Sequence, residues 1–153
     1  MSTATTTQAV VDTDHESIVN DAPKFHDTFK AGDVSHQGDL IVVGIKSLPK
    51  SRKKRPSQQL ADGNTQGSRH ILREGIEVYD CDPSEVSKAI NQATKCEVSS
   101  QYLGPVFVSP DDPTENDMSH PEHGNQGFAA RSICAVVYQR NLDAEEQEQR
   151  TRD

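Results

Sequence analysis

Apolar and polar positions alternate unevenly along the chain, and the densest apolar runs are short. Leu40–Ile45 is a β-branched run opened by Gly38-Asp39 and predicts a strand. Its unbroken apolarity means that both faces are covered, or that one is an interface. Ser68–Leu72 and Ile76–Tyr79 flank Arg73-Glu74-Gly75 and predict a hairpin. Asp82-Pro83-Ser84-Glu85 is a helix start: Asp82 as cap, Pro83 at the first helical position, and Glu85 completing a capping box. Val86, Ala89, Ile90 and Ala93 then form one stripe, so a short amphipathic helix is expected over Pro83–Thr94. Tyr102–Val108 is a further strand, and Pro105 points to an edge position or a break there. A second strong strand covers Ile133–Tyr138.

The stretches between these elements are polar. Residues 1–36 are rich in Thr, Asp, Ser and Ala and are expected to be an N-terminal arm, extended or disordered. Phe25 and Phe29, half of the chain's phenylalanines, are its candidate anchors on this domain or on a neighbour. Lys46–Ser57 contains Pro49 and Pro56 and is expected to be a loop. Asp62-Gly63-Asn64 supplies turn residues, and Ser109–Gly127 predicts a long polar loop. Residues 37–140 would then be the β-rich domain, and residues 141–153 a charged tail helix opened by Asp143-Ala144-Glu145-Glu146. The expected fold is mainly β, a small barrel or sandwich with one short internal helix.

Composition limits the core. Only 32% of residues are apolar and 5% aromatic, with no Trp and a mean hydropathy of −0.77. The folded part is therefore smaller than the chain. No run approaches the ~18 apolar residues of a membrane span, and Met1–Val11 lacks a signal-peptide pattern. Cys81, Cys96 and Cys134 are sparse and contain no CxxC, which reads as reduced thiols in an intracellular or cytoplasmic setting.

The net charge of −8 argues against a general nucleic-acid binder. Yet Lys46, Lys50, Arg52, Lys53, Lys54 and Arg55 fall within ten positions with no acid between them. Lys50 and Arg52–Arg55 are candidate contacts first for acidic arms or a partner and then for phosphate, with a plain solvated loop as the remaining alternative. No aromatic residue interleaves them, so base stacking is not indicated.

His120-Pro121-Glu122-His123 offers two imidazoles and a carboxylate to one cation, and His70 a third imidazole. Three protein ligands with an open position suit a Zn- or Fe-type divalent ion. Glu77 and Asp117 are further carboxylate candidates. An ordinary polar loop explains the same residues. Nucleophilic catalysis has little support: no GxSxG, P-loop or Rossmann glycine pattern occurs, and Asp80 and Asp82 should raise the pKa of Cys81.

Several of these motifs occur together in one order: Gln37-Gly38-Asp39-Leu40, Leu60-Ala61-Asp62-Gly63, Gly67-Ser68-Arg69-His70, His120-Pro121-Glu122-His123-Gly124 and Val136-Val137-Tyr138-Gln139-Arg140. Over residues 37–150 the chain resembles an uncharacterised family of small bacterial and phage proteins. These carry a G-H-x-H, H-x-E-H-G and Y-x-V-x-x-Q-R-E pattern. The resemblance implies a compact β-rich domain, cupin-like in its histidine placement, and no established activity. Ser68 stands where the first histidine of the family's G-H-x-H would be, which puts a complete ligand set in doubt. Three functions are therefore weighed. The first is a non-enzymatic structural or assembly component that binds copies of itself or a larger complex, such as a virion. The second is a cupin-like metal-binding protein using His70, His120 and His123, with Glu122. The third is a phosphate or nucleic-acid accessory acting through the basic loop.

Overall fold

A computed structural model describes residues 22–60 and 70–138. Ten strands are present among them: β1 (Lys24–His26), β2 (Val34–Gln37), β3 (Leu40–Gly44), β4 (Lys53–Lys54), β5 (Ile71–Leu72), β6 (Glu77–Asp80), β7 (Leu103–Val108), β8 (Met118–Ser119), β9 (Gln126–Phe128) and β10 (Ile133–Tyr138). The helix α1 spans Pro83–Thr94. A six-stranded sheet runs β2-β3-β10-β7-β6-β4, and a four-stranded sheet runs β1-β9-β8-β5. Among the described residues the fold is mainly β and sandwich-like, with no closed barrel.

Alternation along the central strands explains their continuous apolarity. On β10, Cys134 and Val136 face the inner layer, where they meet Leu40, Val42, Phe107, Leu72, Met118 and Phe128. Ala135 and Val137 point the other way, toward Val43, Val106, and Val86 and Ile90 of α1. One face of the large sheet thus packs on the small sheet and the other on the helix, so both faces are covered. Among the described residues, no helix is long and apolar enough to cross a membrane.

The helix starts where the sequence places it, but its cap is wired differently. Asp82 accepts from the Ser84 backbone N–H (3.0 Å), as an N-cap should. Glu85 does not reach back to close a capping box. Its carboxylate accepts from the backbone N–H and hydroxyl of Ser51 (3.1 and 2.9 Å), whose Oγ in turn accepts from the Asp82 N–H. The basic stretch is thereby tied to the start of α1. It is also not purely a loop: Lys53 and Lys54 pair with Asp80 and Tyr79 as an edge strand, where lysines discourage further strand pairing.

One further expectation needs correction, and another holds in one of its two forms. The proposed hairpin across Arg73-Glu74-Gly75 does not form, because the strands enter different sheets: β5 pairs with β8, and β6 with β7 and β4. A turn is present (Ile76 N–H to Arg73 O, 3.2 Å), but it moves the chain between layers. Pro105 is not on an edge, since β7 lies between β10 and β6. The β7–β10 register instead shifts around Gly104-Pro105, and a bulge is where a ladder tolerates a missing N–H.

Part of the expected arm is also folded. Lys24–His26 pairs in parallel with Gln126–Phe128, and Val34–Gln37 with β3. These strands are short and polar, held by side chains rather than an apolar face. Gln126 Oε1 accepts from Ser35 Oγ (2.7 Å) and lies 3.0 Å from His26 Nε2. Phe29 is buried against Phe128 (ring centroids 4.8 Å apart), whereas Phe25 stays 42% exposed. Residues 1–21, the turn at 62–64, Ser68 and the expected tail helix lie outside the described residues.

Candidate functional site

The β2–β3 hairpin builds the first part of the site. Gln37 and Leu40 pair across a two-residue turn, Gly38-Asp39, with Gly38 at φ +62°. Glycine is the favoured residue at the first central position of such a turn. A second constraint acts at the same position. A Cβ on residue 38 would sit 2.6 Å from Cδ2 and 2.7 Å from Nε2 of His123. The turn and the His123 ring therefore require a glycine together.

Gln37 points inward from the end of β2 and is 2% exposed. Its amide nitrogen donates to Met118 O (3.0 Å) and Gly124 O (2.9 Å), which uses both hydrogens and fixes the amide orientation. The amide oxygen then faces Nδ1 of His70 at 2.8 Å. An oxygen can only accept, so His70 Nδ1 carries the hydrogen. His70 Nε2 lies 3.3 Å from Asp39 Oδ1. His70 is completely buried, and burial with the neighbouring His120 lowers its pKa to about 4 despite the pull of Asp39. At neutral pH its Nε2 is consequently a lone pair facing a carboxylate.

The other two histidines lie beside it, each ring tilted against the next. His70 and His120 have ring centroids 4.5 Å apart, and His120 and His123 4.6 Å apart, so His120 is the middle ring. His120 Nδ1 accepts from the backbone N–H of Glu122 at 3.0 Å. The structure thus gathers His70, His120 and His123 at one end of the space between the sheets. Glu122 does not offer its carboxylate there: its side chain is exposed, and only its backbone touches the cluster. Asp39 supplies the carboxylate. Among the described residues, no group of three or more His, Cys, Asp or Glu side chains is placed to hold a metal ion.

The remaining candidates lie elsewhere. Buried Asp117 binds Arg73 (2.8 Å) and the Thr114 N–H (3.0 Å), a structural knot of the long loop. Glu77 accepts from the Tyr79 hydroxyl. Arg55 makes a 3.5 Å ion pair with Asp80, and Arg52 donates to Pro49 O. Lys50, Lys53 and Lys54 are exposed. Burial, then Asp80 and Glu85, push the Cys81 thiol up to about 11, and burial pushes up the Cys134 thiol, so neither is a ready nucleophile. Gln37 and Asp39 are the site residues that sequence reasoning missed. The signal was a Gly-Asp pair between two β-capable runs, which marks a tight hairpin and so brings its flanks to one place.

The fold and the cluster define a small β-sandwich protein with a partly buried histidine–carboxylate cluster. Residues 36–130 match the model of DUF8820, a domain of unknown function, and the chain belongs to that uncharacterised family. No curated protein and no solved structure shows significant similarity to it.

Proposed function

We propose that the protein binds a divalent transition metal of the Zn or Fe type, held by His70 Nε2 and Asp39. One observation carries this reading: the Gln37 amide forces the hydrogen of His70 onto Nδ1 and leaves the Nε2 lone pair facing the Asp39 carboxylate. Two electron-rich atoms 3.3 Å apart repel each other unless a cation lies between them. Two donors of a tetrahedral ion with bonds of about 2.0–2.1 Å stand roughly 3.3–3.4 Å apart. Metal-binding histidines also characteristically donate their second N–H to a fixed acceptor, the role that Gln37 fills. A bound ion of this kind supplies Lewis acidity; the chain's own residues orient the donors and close one side of the site.

The test is equilibrium dialysis of the full chain against Zn²⁺ at pH 7, followed by metal analysis. About one equivalent is expected, with affinity falling about 10- to 100-fold in Gln37→Leu and further in His70→Ala. Binding should fade as pH falls toward 4, where His70 takes up a proton. Equal zinc uptake by folded wild type and folded His70→Ala would overturn the reading.

Assembly with copies of the chain is a second reading, and Phe25 supports it. β1 is an edge strand of the smaller sheet and carries this exposed ring, a combination that favours strand or apolar contact with a neighbour. Phe25→Ala should lower the particle mass measured by light scattering, and an unchanged mass counts against the reading.

A further inference from the structure

We infer, independently of the metal reading, that the groove beside Tyr138 and the basic edge of the large sheet are the docking site for the acidic segment of this same chain at residues 139–148. Leu142 enters the groove, and Asp143, Glu145 and Glu146 meet Lys53, Lys54 and Arg55.

The groove lies where the chain leaves β10. Tyr138 ends that strand and forms one wall of a space of about 190 Å³, which Leu103, Pro105, Pro83, Asp80 and Arg55 also line. Gly104 lets the Tyr138 ring lie there, because a Cβ at residue 104 would sit 2.5 Å from the hydroxyl oxygen. Leu103, Pro105 and Pro83 make much of the lining apolar. Its one carboxylate, Asp80, is matched by Arg55 at 3.5 Å, so it does not repel an incoming acidic segment as a bare charge would.

Strand order sets the distance from Tyr138 to the basic stretch. Outward from β10 the sheet runs β7, β6, β4, so β4 lies three inter-strand steps away, about 14 Å. About four or five residues of extended chain span that distance. Chain leaving Tyr138 along the groove therefore brings Leu142 over it and Asp143 to the edge where Lys53 and Lys54 are exposed. Asp143, Glu145, Glu146 and Glu148 follow one another with no base among them. Lys50, Arg52, Lys53, Lys54 and Arg55 have no acid among them. Opposite charge thus meets opposite charge, led by an apolar residue into an apolar-walled groove. The short tether also selects the occupant. It gives the chain's own segment an effective concentration on the order of millimolar, far above that of a second copy in dilute solution.

The test is carbodiimide cross-linking of the full chain, which joins amines to carboxylates in ion-pair contact, followed by peptide mass spectrometry of the separated monomer and dimer fractions. In the monomer, Lys53 or Lys54 should link to Asp143, Glu145, Glu146 or Glu148, whereas Lys88 and Lys95, on α1 and at its C-terminal end, should not. The yield should fall several-fold in about 1 M NaCl, where charges are screened beyond about 3 Å. Leu142→Ser should also lower it several-fold by removing the apolar contact. Lys53→Glu with Lys54→Glu should abolish the link, and adding Glu145→Lys and Glu146→Lys should restore it with the two charges exchanged. No link in wild type, or equal linking to Lys53, Lys54, Lys88 and Lys95, would overturn the inference. An unchanged yield in Leu142→Ser would overturn the groove as part of the site. Links confined to the dimer fraction would overturn docking within one chain and assign the site to the segment of a second copy.

Discussion

The two sides of the large sheet are built on different principles. Toward α1 the packing is apolar: Val43, Ile45, Val86, Ile90, Val106, Ala135 and Val137 meet with few polar atoms among them. Toward the small sheet the layer is apolar in the middle, around Phe107 and Phe128. At the end near the β2–β3 turn it buries Gln37, His70 and His120. The first side stabilises in proportion to the area it removes from water. The second hydrogen-bonds its polar groups one by one, and such groups return little net stability over an apolar replacement. Cation binding is the role proposed above for that polar end.

The sharpest way to break this contrast is to remove apolar bulk where the polar end does not reach. Phe107→Ala empties the middle of the inner layer and should cost about 3–5 kcal/mol in chemical denaturation, the usual range for a fully buried phenylalanine. Acid should act on the polar end through His70. The folded pKa of His70, about 4, lies below the ordinary value of 6.5. Its contribution is therefore complete above about pH 6.5 and lost as pH falls toward 4, because the unfolded chain takes up the proton first. The loss is roughly 3 kcal/mol in the metal-free protein. His70→Gln should flatten that part of the stability–pH curve; an unchanged slope would show that His70 does not titrate in this way.

Smaller effects sharpen the contrast further. Gly38→Ala meets both the positive φ and the His123 ring, and should cost about 1–3 kcal/mol while weakening zinc binding. Asp82→Ala removes a helix cap on the apolar side and should cost about 1 kcal/mol with zinc binding unchanged. Paired melting and dialysis of the two variants would show whether the two sides are energetically separate.

The apolar half was legible in the sequence, and much of the polar half was not. Leu40–Gly44, Ile133–Tyr138 and Pro83–Thr94 follow from β-branched runs and one helical stripe, because burial on both sides leaves a direct mark on composition. Lys24–His26 and Val34–Gln37 leave no such mark, since hydrogen bonds among His26, Ser35 and Gln126 hold them. The site divides in the same way. Histidines spaced as HxxH attract notice by residue type, so His70, His120 and His123 could be named. Gln37 and Asp39 matter through the hairpin that aims them at His70, and Glu122 drops out because its side chain points to solvent. These are consequences of pairing between segments far apart in the chain.

X-ray absorption at the zinc edge, on zinc-loaded full-length protein, tests the central claim most directly. The account predicts a first shell of imidazole nitrogen and carboxylate oxygen at about 2.0–2.2 Å, with the imidazole contribution reduced in His70→Ala. A spectrum of hydrated zinc, identical in wild type and His70→Ala, would contradict it.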